Sequence, residues 1–221
     1  MANYPLDRSF FERNTKTVAR DLLGKFLVRK IGKNILSGMI VETEAYVGPH
    51  DLACHASNGK TERTKVMFKP AGIWYVYMIY GMHHCLNIVT ETKDYPSAVL
   101  IRALEPEKSS PACPRSVAGG FGGVRPKTWR KWERGAEGKA GCVSNLTNGP
   151  SKLCRVLKID KKFNCTSAVA KNSKLYCEDR GIKIPRKKIV KVKRIGVDYA
   201  GEWKDKLLRF YIKGNRFVSK V

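Results

Sequence analysis

Between residues 25 and 106 the chain is a succession of short strand-like runs broken by turn residues, and this limits the fold more than any other feature. "KFLVRKI" and "ILSGMIVETEAY" flank Gly32-Lys33-Asn34, "IWYVYMIY" and "CLNIVT" flank Gly81-Met82, and "SAVLIRALEP" closes at Pro106. Runs joined by so short a Gly-containing reversal read as antiparallel hairpins. Helices are few. "TKTVARDLL" carries apolar pairs four apart and stops at Gly24, and "GPSKLCRVLKI" begins with Pro150 and places Leu153, Val156 and Leu157 on one face. "KIVKVKRIGV" alternates like a basic-faced strand, and "LLRFYIKGNRFVS" reads as a closing hairpin about Gly214-Asn215. No regular βαβ alternation is present. The expected fold is therefore α+β: a largely antiparallel, curved sheet with short helices and one protruding β-hairpin.

The 221 residues fit one domain, 1–221, with a single core. From about 107 to 148 the composition turns to Gly, Pro, Lys and Arg around "AGGFGGVRPK", which reads as an insertion on the folded body. Its WRKWER segment reads as a loop anchored by two aromatics. Seven cysteines, an odd number with no CxxC pair, argue against a disulfide framework and a zinc ribbon and for reduced thiols. No apolar run approaches the ~20 residues of a bilayer span, and the first residues lack a secretory core, so an intracellular protein without a membrane partner is expected. The charge narrows the partner: 43 Lys and Arg against 19 Asp and Glu leave +24, more than solubility requires. A polyanion, nucleic acid before membrane, is the natural counterpart.

In "VETEAY" a period of two puts Glu42, Glu44 and Tyr46 on one face of a strand, with the two carboxylates about 7 Å apart. That spacing suits acid and base work across a glycosidic bond; it equally suits a solvated polar edge. His50, Cys54 and His55, with His83, His84 and Cys85, only loosely imitate paired zinc ligands. Along "WYVYMIY" the period sends Trp74, Val76, Met78 and Tyr80 to one face and Tyr75, Tyr77 and Ile79 to the other, as in a strand buried on both sides. Tyr80 is different. It sits at the hairpin tip, where a large ring has little core to fill, and on so basic a chain such a tip suggests a wedge for a base stack.

These stretches together resemble the alkyladenine DNA glycosylase family, the mammalian-type 3-methyladenine DNA glycosylases, in a bacterial-like form. The likeness rests on "ARDLLGKFLVRK", "IVETEAYVGPHDLACHAS", "TERTKVMF", "GIWYVYMIYGMHHCLNIVT", "VLIRALEP", "LTNGPSKLC" and "RIGVDYAGEW", in that order, and spares only about 107–144. It implies a monofunctional, monomeric base-excision-repair hydrolase without metal or cofactor, which flips alkylated or deaminated purines (3-methyladenine, hypoxanthine, ethenoadenine) out of duplex DNA and leaves an abasic site. Carried residue by residue, it makes Glu44 the general base. Tyr46, His55 and Tyr77 would sandwich the extruded purine, and Asn87 would crowd its 2-position. Tyr80 would fill the gap in the duplex, and Arg102, with the backbone of Ile195, would help hold the attacking water. "TERT" departs from the family's commoner TPR-type loop, which puts the contacts of residues 57–65 in question. The place of action would be cytoplasm and nucleoid in a bacterium or the nucleus in a eukaryote. Other readings of the same surface are a catalytically inactive or RNA-directed binding module, and a sugar glycosidase built on Glu42 and Glu44, which leaves the charge unexplained.

Overall fold

The computed structural model describes residues 4–107 and 146–220. Residues 108–145 of the expected insertion, WRKWER included, lie outside the described residues. Among the described residues nine strands form one strongly curled antiparallel sheet: β1 (Tyr4–Pro5), β2 (Phe26–Ile31), β3 (Asn34–Tyr46), β4 (Trp74–Ile79), β5 (His83–Thr90), β6 (Ser97–Pro106), β7 (Leu175–Asp179), β8 (Ile189–Val192) and β9 (Arg209–Ile212). Among the described residues three short helices accompany it, α1 (Arg8–Phe11), α2 (Thr15–Asp21) and α3 (Pro150–Val156). The class is α+β, as the hairpin pattern requires.

β3 organises the site because it is long enough to serve several neighbours. Residues Asn34 to Met39 pair with β2 across the Gly32-Lys33 turn, and residues from Gly38 to Tyr46 pair with β6 on the other edge. Where β2 ends, β9 takes over the vacated edge, pairing Tyr211, Phe210 and Arg209 with Glu42, Thr43 and Glu44. A bulge between Ile40 and Thr43 shifts the register with β6 at this point, and bulges of this kind re-aim side chains beside active sites. The VETEAY segment is therefore central, not a solvated edge. Both Glu42 and Glu44 are fully buried.

The two faces of β3 divide as the period of two demands. Val41 and Ala45 join the main core, and the Thr43 hydroxyl donates to Ala19 O of α2 at 2.8 Å. α2 supplies Val18 and Ala19, and Leu22 follows at its C-cap, all without exposure; the chain then turns at Gly24, with a positive φ of 87°. In α3, Leu153 and Cys154 are buried, as is Leu157 just beyond it, while Val156 is only partly covered. Beyond β3 the chain turns at Gly48 (φ 114°), where a Cβ would lie 2.5 Å from the Tyr95 hydroxyl oxygen. That hydroxyl donates to Val47 O at 3.0 Å, so only glycine lets the loop close.

One expectation fails. No hairpin forms about Gly214-Asn215: β9 ends at Ile212, and both of its edges are already occupied, by β3 and β8. With no edge left for a partner strand, the tail turns inward. Phe217 and Val218 enter the core, and Ser219 lands on Glu42.

Candidate active site

β4 is covered on both sides at its base and emerges toward its tip. Trp74, Tyr75 and Val76 are buried, whereas Tyr80 is 88% exposed. Tyr80 and Gly81 occupy the centre of the turn, both with positive φ (50° and 68°), and Met82 N–H donates back to Ile79 O at 3.3 Å. The hairpin tip thus presents a ring to solvent on a conformation that tyrosine adopts at a cost.

Below the tip, β4, β5 and β6, the loop before His55 and the segment after Arg194 enclose a cavity of 290 Å³. Tyr46, His55, Tyr77, Tyr80, Asn87, Arg102 and Ile195 all line it, so residues far apart in sequence meet at one place. Its size is near the lower end of small-molecule sites, roughly 300–1,000 Å³, and suits a single heteroaromatic base. The aromatic wall is continuous. His55 meets Tyr77 edge-on at 4.6 Å between centroids, and Tyr75 and Tyr77 lie 5.3 Å apart. Burial pushes the phenols up, Tyr75 to about 12, Tyr77 higher still and Tyr46 well above the usual phenol range, so all three stay neutral.

His55 is held in one form. A guanidinium can only donate, so the long 3.5 Å contact from Arg63 Nη2 makes Nε2 the acceptor and leaves Nδ1–H to meet the Tyr75 hydroxyl at 2.9 Å. Burial, then the Arg63 charge, lowers His55 to about 4. This sets a pH signature. Between 6.5 and about 4 the unfolded chain takes up a proton at His55 and the folded chain does not, so stability falls as the pH drops through that window, by up to about 3 kcal/mol. Above 6.5 neither state is charged. His55→Gln is expected to flatten the stability profile from pH 4 to 6.5 in denaturant melts. An unchanged slope would assign it to other groups.

Glu44 has no exposed surface and sits directly behind the cavity wall. Its Oε1 accepts from Ile195 N–H at 2.9 Å and faces Arg102 Nη1 at 3.2 Å, and its Oε2 accepts from the Tyr46 hydroxyl at 3.0 Å. All three donors line the cavity. Arg102 also reaches Glu42 Oε1 through Nε at 3.1 Å. Desolvation opposes its charge, but Glu44 and Glu42 more than offset this, and its pKa is raised. Glu42, on the same face, shares Arg102 but takes its other donors from Arg209 and Ser219, neither of which lines the cavity.

A tyrosine-lined pocket, a buried carboxylate behind it and an exposed tyrosine at a hairpin tip form the kind of constellation that enzymes acting on extruded bases require. A methylpurine-DNA glycosylase family model matches residues 9–216. The chain belongs to the methylpurine-DNA glycosylase family. It is accordingly an N-glycosylase hydrolase of the DNA-repair kind, and its similarity to known members spans nearly all of it. Proteins named "Putative 3-methyladenine DNA glycosylase" from Clostridium perfringens (strain 13 / Type A) and Legionella pneumophila (strain Lens) are each 44% identical over 217 residues. The match covers 97% of this chain and 98% of the first relative, and 98% of both chains for the second. A protein of the same name from Methanocella arvoryzae is 45% identical over 215 residues, covering 97% of this chain and 96% of its own.

Three cavity-side residues of this glycosylase were not singled out from sequence. Tyr75 was assigned only to a strand face, yet its hydroxyl orients His55. Arg63, from the divergent TERT loop, lies 5.0 Å from the Tyr77 ring centroid. Tyr199, 69% exposed, stands at the mouth with its hydroxyl 3.4 Å from Ala53 O. The alternation of aromatics could have flagged Tyr75; nothing local marks Arg63 or Tyr199. His50 packs against Trp203, and His83 and His84 pair with Ile79 and Met78. Among the described residues no group of three or more His, Cys, Asp or Glu could hold a metal ion, and no helix is long and apolar enough to cross a membrane.

Proposed function

We propose that this protein excises alkylated purines, 3-methyladenine foremost, from duplex DNA by hydrolysis, with Glu44 as the general base. The observation that carries this reading is the buried Glu44 carboxylate held by three donors that all face an aromatic cavity sized for one base. Flipping a nucleotide costs a few kcal/mol, and stacking of about 1 to 3 kcal/mol per base on Tyr46, Tyr77 and His55 offsets much of it. Exchange of the Tyr46 hydroxyl for a water on Oε2 would bring the nucleophile to the carboxylate while Arg102 and Ile195 keep Oε1 fixed. No lysine lines the cavity among the described residues, which favours water over an amine nucleophile and hence an intact abasic product.

The site favours lesions that bring their own positive charge. Neutral purines leave only when protonated, and the wall offers no suitable acid: His55 is neutral above about 4 and the phenols hold their protons. Alkylation at N3 or N7 makes the purine a cationic leaving group that aromatic faces attract. Hypoxanthine and ethenoadenine should therefore be slower substrates. Duplexes carrying each lesion, treated with enzyme and then alkali, test this. Fastest release of 3-methyladenine, with strand scission only after alkali, is expected. Scission without alkali would indicate a lysine nucleophile, and binding without excision would indicate an inactive or RNA-directed module.

Two side chains report on recognition. Tyr80→Ala should weaken binding to a lesion duplex by about tenfold or more, the value of one lost stack, and weaken binding to a single-stranded lesion less. Equal losses would make Tyr80 a general contact only. Asn87 is buried, pairs across the hairpin with Tyr75 and donates to Tyr75 O at 3.2 Å. Asn87→Ser removes bulk from the cavity floor and should raise excision of guanine-type bases relative to adenine-type ones. Unchanged discrimination would reduce Asn87 to its hydrogen bond.

A further inference from the structure

The loop after β3 and the segment after β8 are joined by an ion pair with no solvent exposure on either side chain. Arg194 Nη1 donates to Asp51 Oδ2 at 2.6 Å, and Nη2 donates to Asp51 Oδ1 at 2.8 Å. The same guanidinium donates to Ala45 O at 2.9 Å and to Trp203 O at 3.3 Å, and only its Nε lacks a hydrogen-bond partner. Asp51 is as fully used. It also accepts from the backbone N–H groups of Val47 at 3.2 Å and Ala53 at 3.1 Å, which wraps the loop around it.

Two consequences meet at Glu44. The guanidinium carbon lies 4.8 Å from the Tyr46 ring centroid. Tyr46 lines the cavity and Arg194 does not, so the cation backs the hidden face of the ring and leaves the other to a base. The next peptide in the chain carries the Ile195 N–H that donates to Glu44 Oε1. One planar, bidentate group thus fixes the origin of two of the three contacts on the carboxylate. A lysine could not, because its ammonium is a point charge without the fork that spans two carboxylate oxygens.

We infer that Asp51 and Arg194 are positioning residues for the reaction: their buried pair sets Tyr46 and the Ile195 N–H around Glu44 without touching the base or the water. This rests on the reading of Glu44 as the base. The test uses the full chain with Arg194→Lys, Arg194→Met and the double variant Asp51→Leu/Arg194→Met. The readouts are thermal midpoints, affinity for a 3-methyladenine duplex, and single-turnover excision under saturating enzyme. Replacing both members of a buried pair by apolar groups avoids an unpaired charge, so the double variant should melt higher than Arg194→Met. Its excision, and that of Arg194→Lys, should nevertheless stay 10- to 100-fold below wild type, with lesion-duplex affinity within a few-fold. Saturating enzyme makes the rate constant independent of the folded fraction, so mere destabilisation would leave it unchanged. Wild-type rates in Arg194→Lys or in the double variant would overturn the inference, as would a loss confined to affinity. If Glu44→Gln in the same series excises normally, the reading of Glu44 fails and takes this inference with it. Slow Glu44→Gln beside a normal double variant rejects the inference alone.

Discussion

Glu44→Gln should slow single-turnover excision of 3-methyladenine by 10²- to 10⁴-fold, the range for loss of a general base and equivalent to about 3 to 5 kcal/mol of barrier. The geometry makes this a clean experiment. A glutamine amide oxygen in place of Oε1 can still accept from Ile195 N–H and lie beside Arg102, and its NH₂ in place of Oε2 can donate to the Tyr46 hydroxyl oxygen, so every partner of the carboxylate keeps a polar contact. Arg102 keeps an anionic partner in Glu42. What disappears is the capacity to take a proton from water. On the proposed reading, stacking on Tyr46, Tyr77 and His55 would be untouched, as would phosphate contacts made by a chain with net charge +24, so lesion-duplex affinity should survive. Excision within a few-fold of wild type would show that Glu44 is held for structure and that the base lies elsewhere.

What the sequence could reveal depended on distance along the chain. The hairpins were legible because a strand's period of two and the glycines at its reversal are local properties, and Ile31 does pair with Asn34 and Ile79 with His83. The common face of Glu42, Glu44 and Tyr46 was legible for the same reason. Local rules could not show that β9 would take the edge of β3 that β2 leaves, which turns a plausible solvated edge into a buried part of the sheet. The same event cancels the expected C-terminal hairpin by using both edges of β9. Likewise, of the partners of Glu44 only Tyr46 is local; Arg102 comes from the neighbouring strand β6 and Ile195 from 151 positions away, and Asp51 and Arg194 are separated by 143. In a chain with 43 basic residues nothing marks one arginine as the partner of one aspartate. The resemblance supplied Glu44, Arg102 and Ile195 by position, and the structure brings Ile195 N–H and the Arg102 guanidinium to the same oxygen of Glu44.

Glu42 provides the contrast that separates burial from chemistry. Its Oε1 accepts from Arg102 Nε at 3.1 Å, Arg209 Nη1 at 2.9 Å and the Ser219 hydroxyl at 2.9 Å, and its Oε2 accepts from Ser219 N–H at 2.7 Å. Four donors from three distant parts of the chain converge on one side chain without exposure, so this carboxylate ties the C-terminal tail and β9 to the centre of β3. Glu42→Gln removes the charge shared by two nearly buried arginines, and loss of one partner of a buried pair costs about 3 to 5 kcal/mol. For a chain of this size that is a fall of about 10 °C in thermal midpoint. Arg209 can fall back on the carbonyls of Lys193 and Lys220, and Arg102 on Glu44, which places the expected cost toward the lower end. Excision should respond differently. Of Glu42's partners only Arg102 lines the cavity, and that arginine stays anchored by Glu44, so single-turnover rates under saturating enzyme should fall far less than in Glu44→Gln. Melting curves and excision rates on the two variants, measured together, separate the roles. A Glu42→Gln protein that melts like wild type would mean that the tail is held by its apolar residues, Phe217 and Val218, and one that excises as slowly as Glu44→Gln would mean that the two carboxylates act as a unit through Arg102.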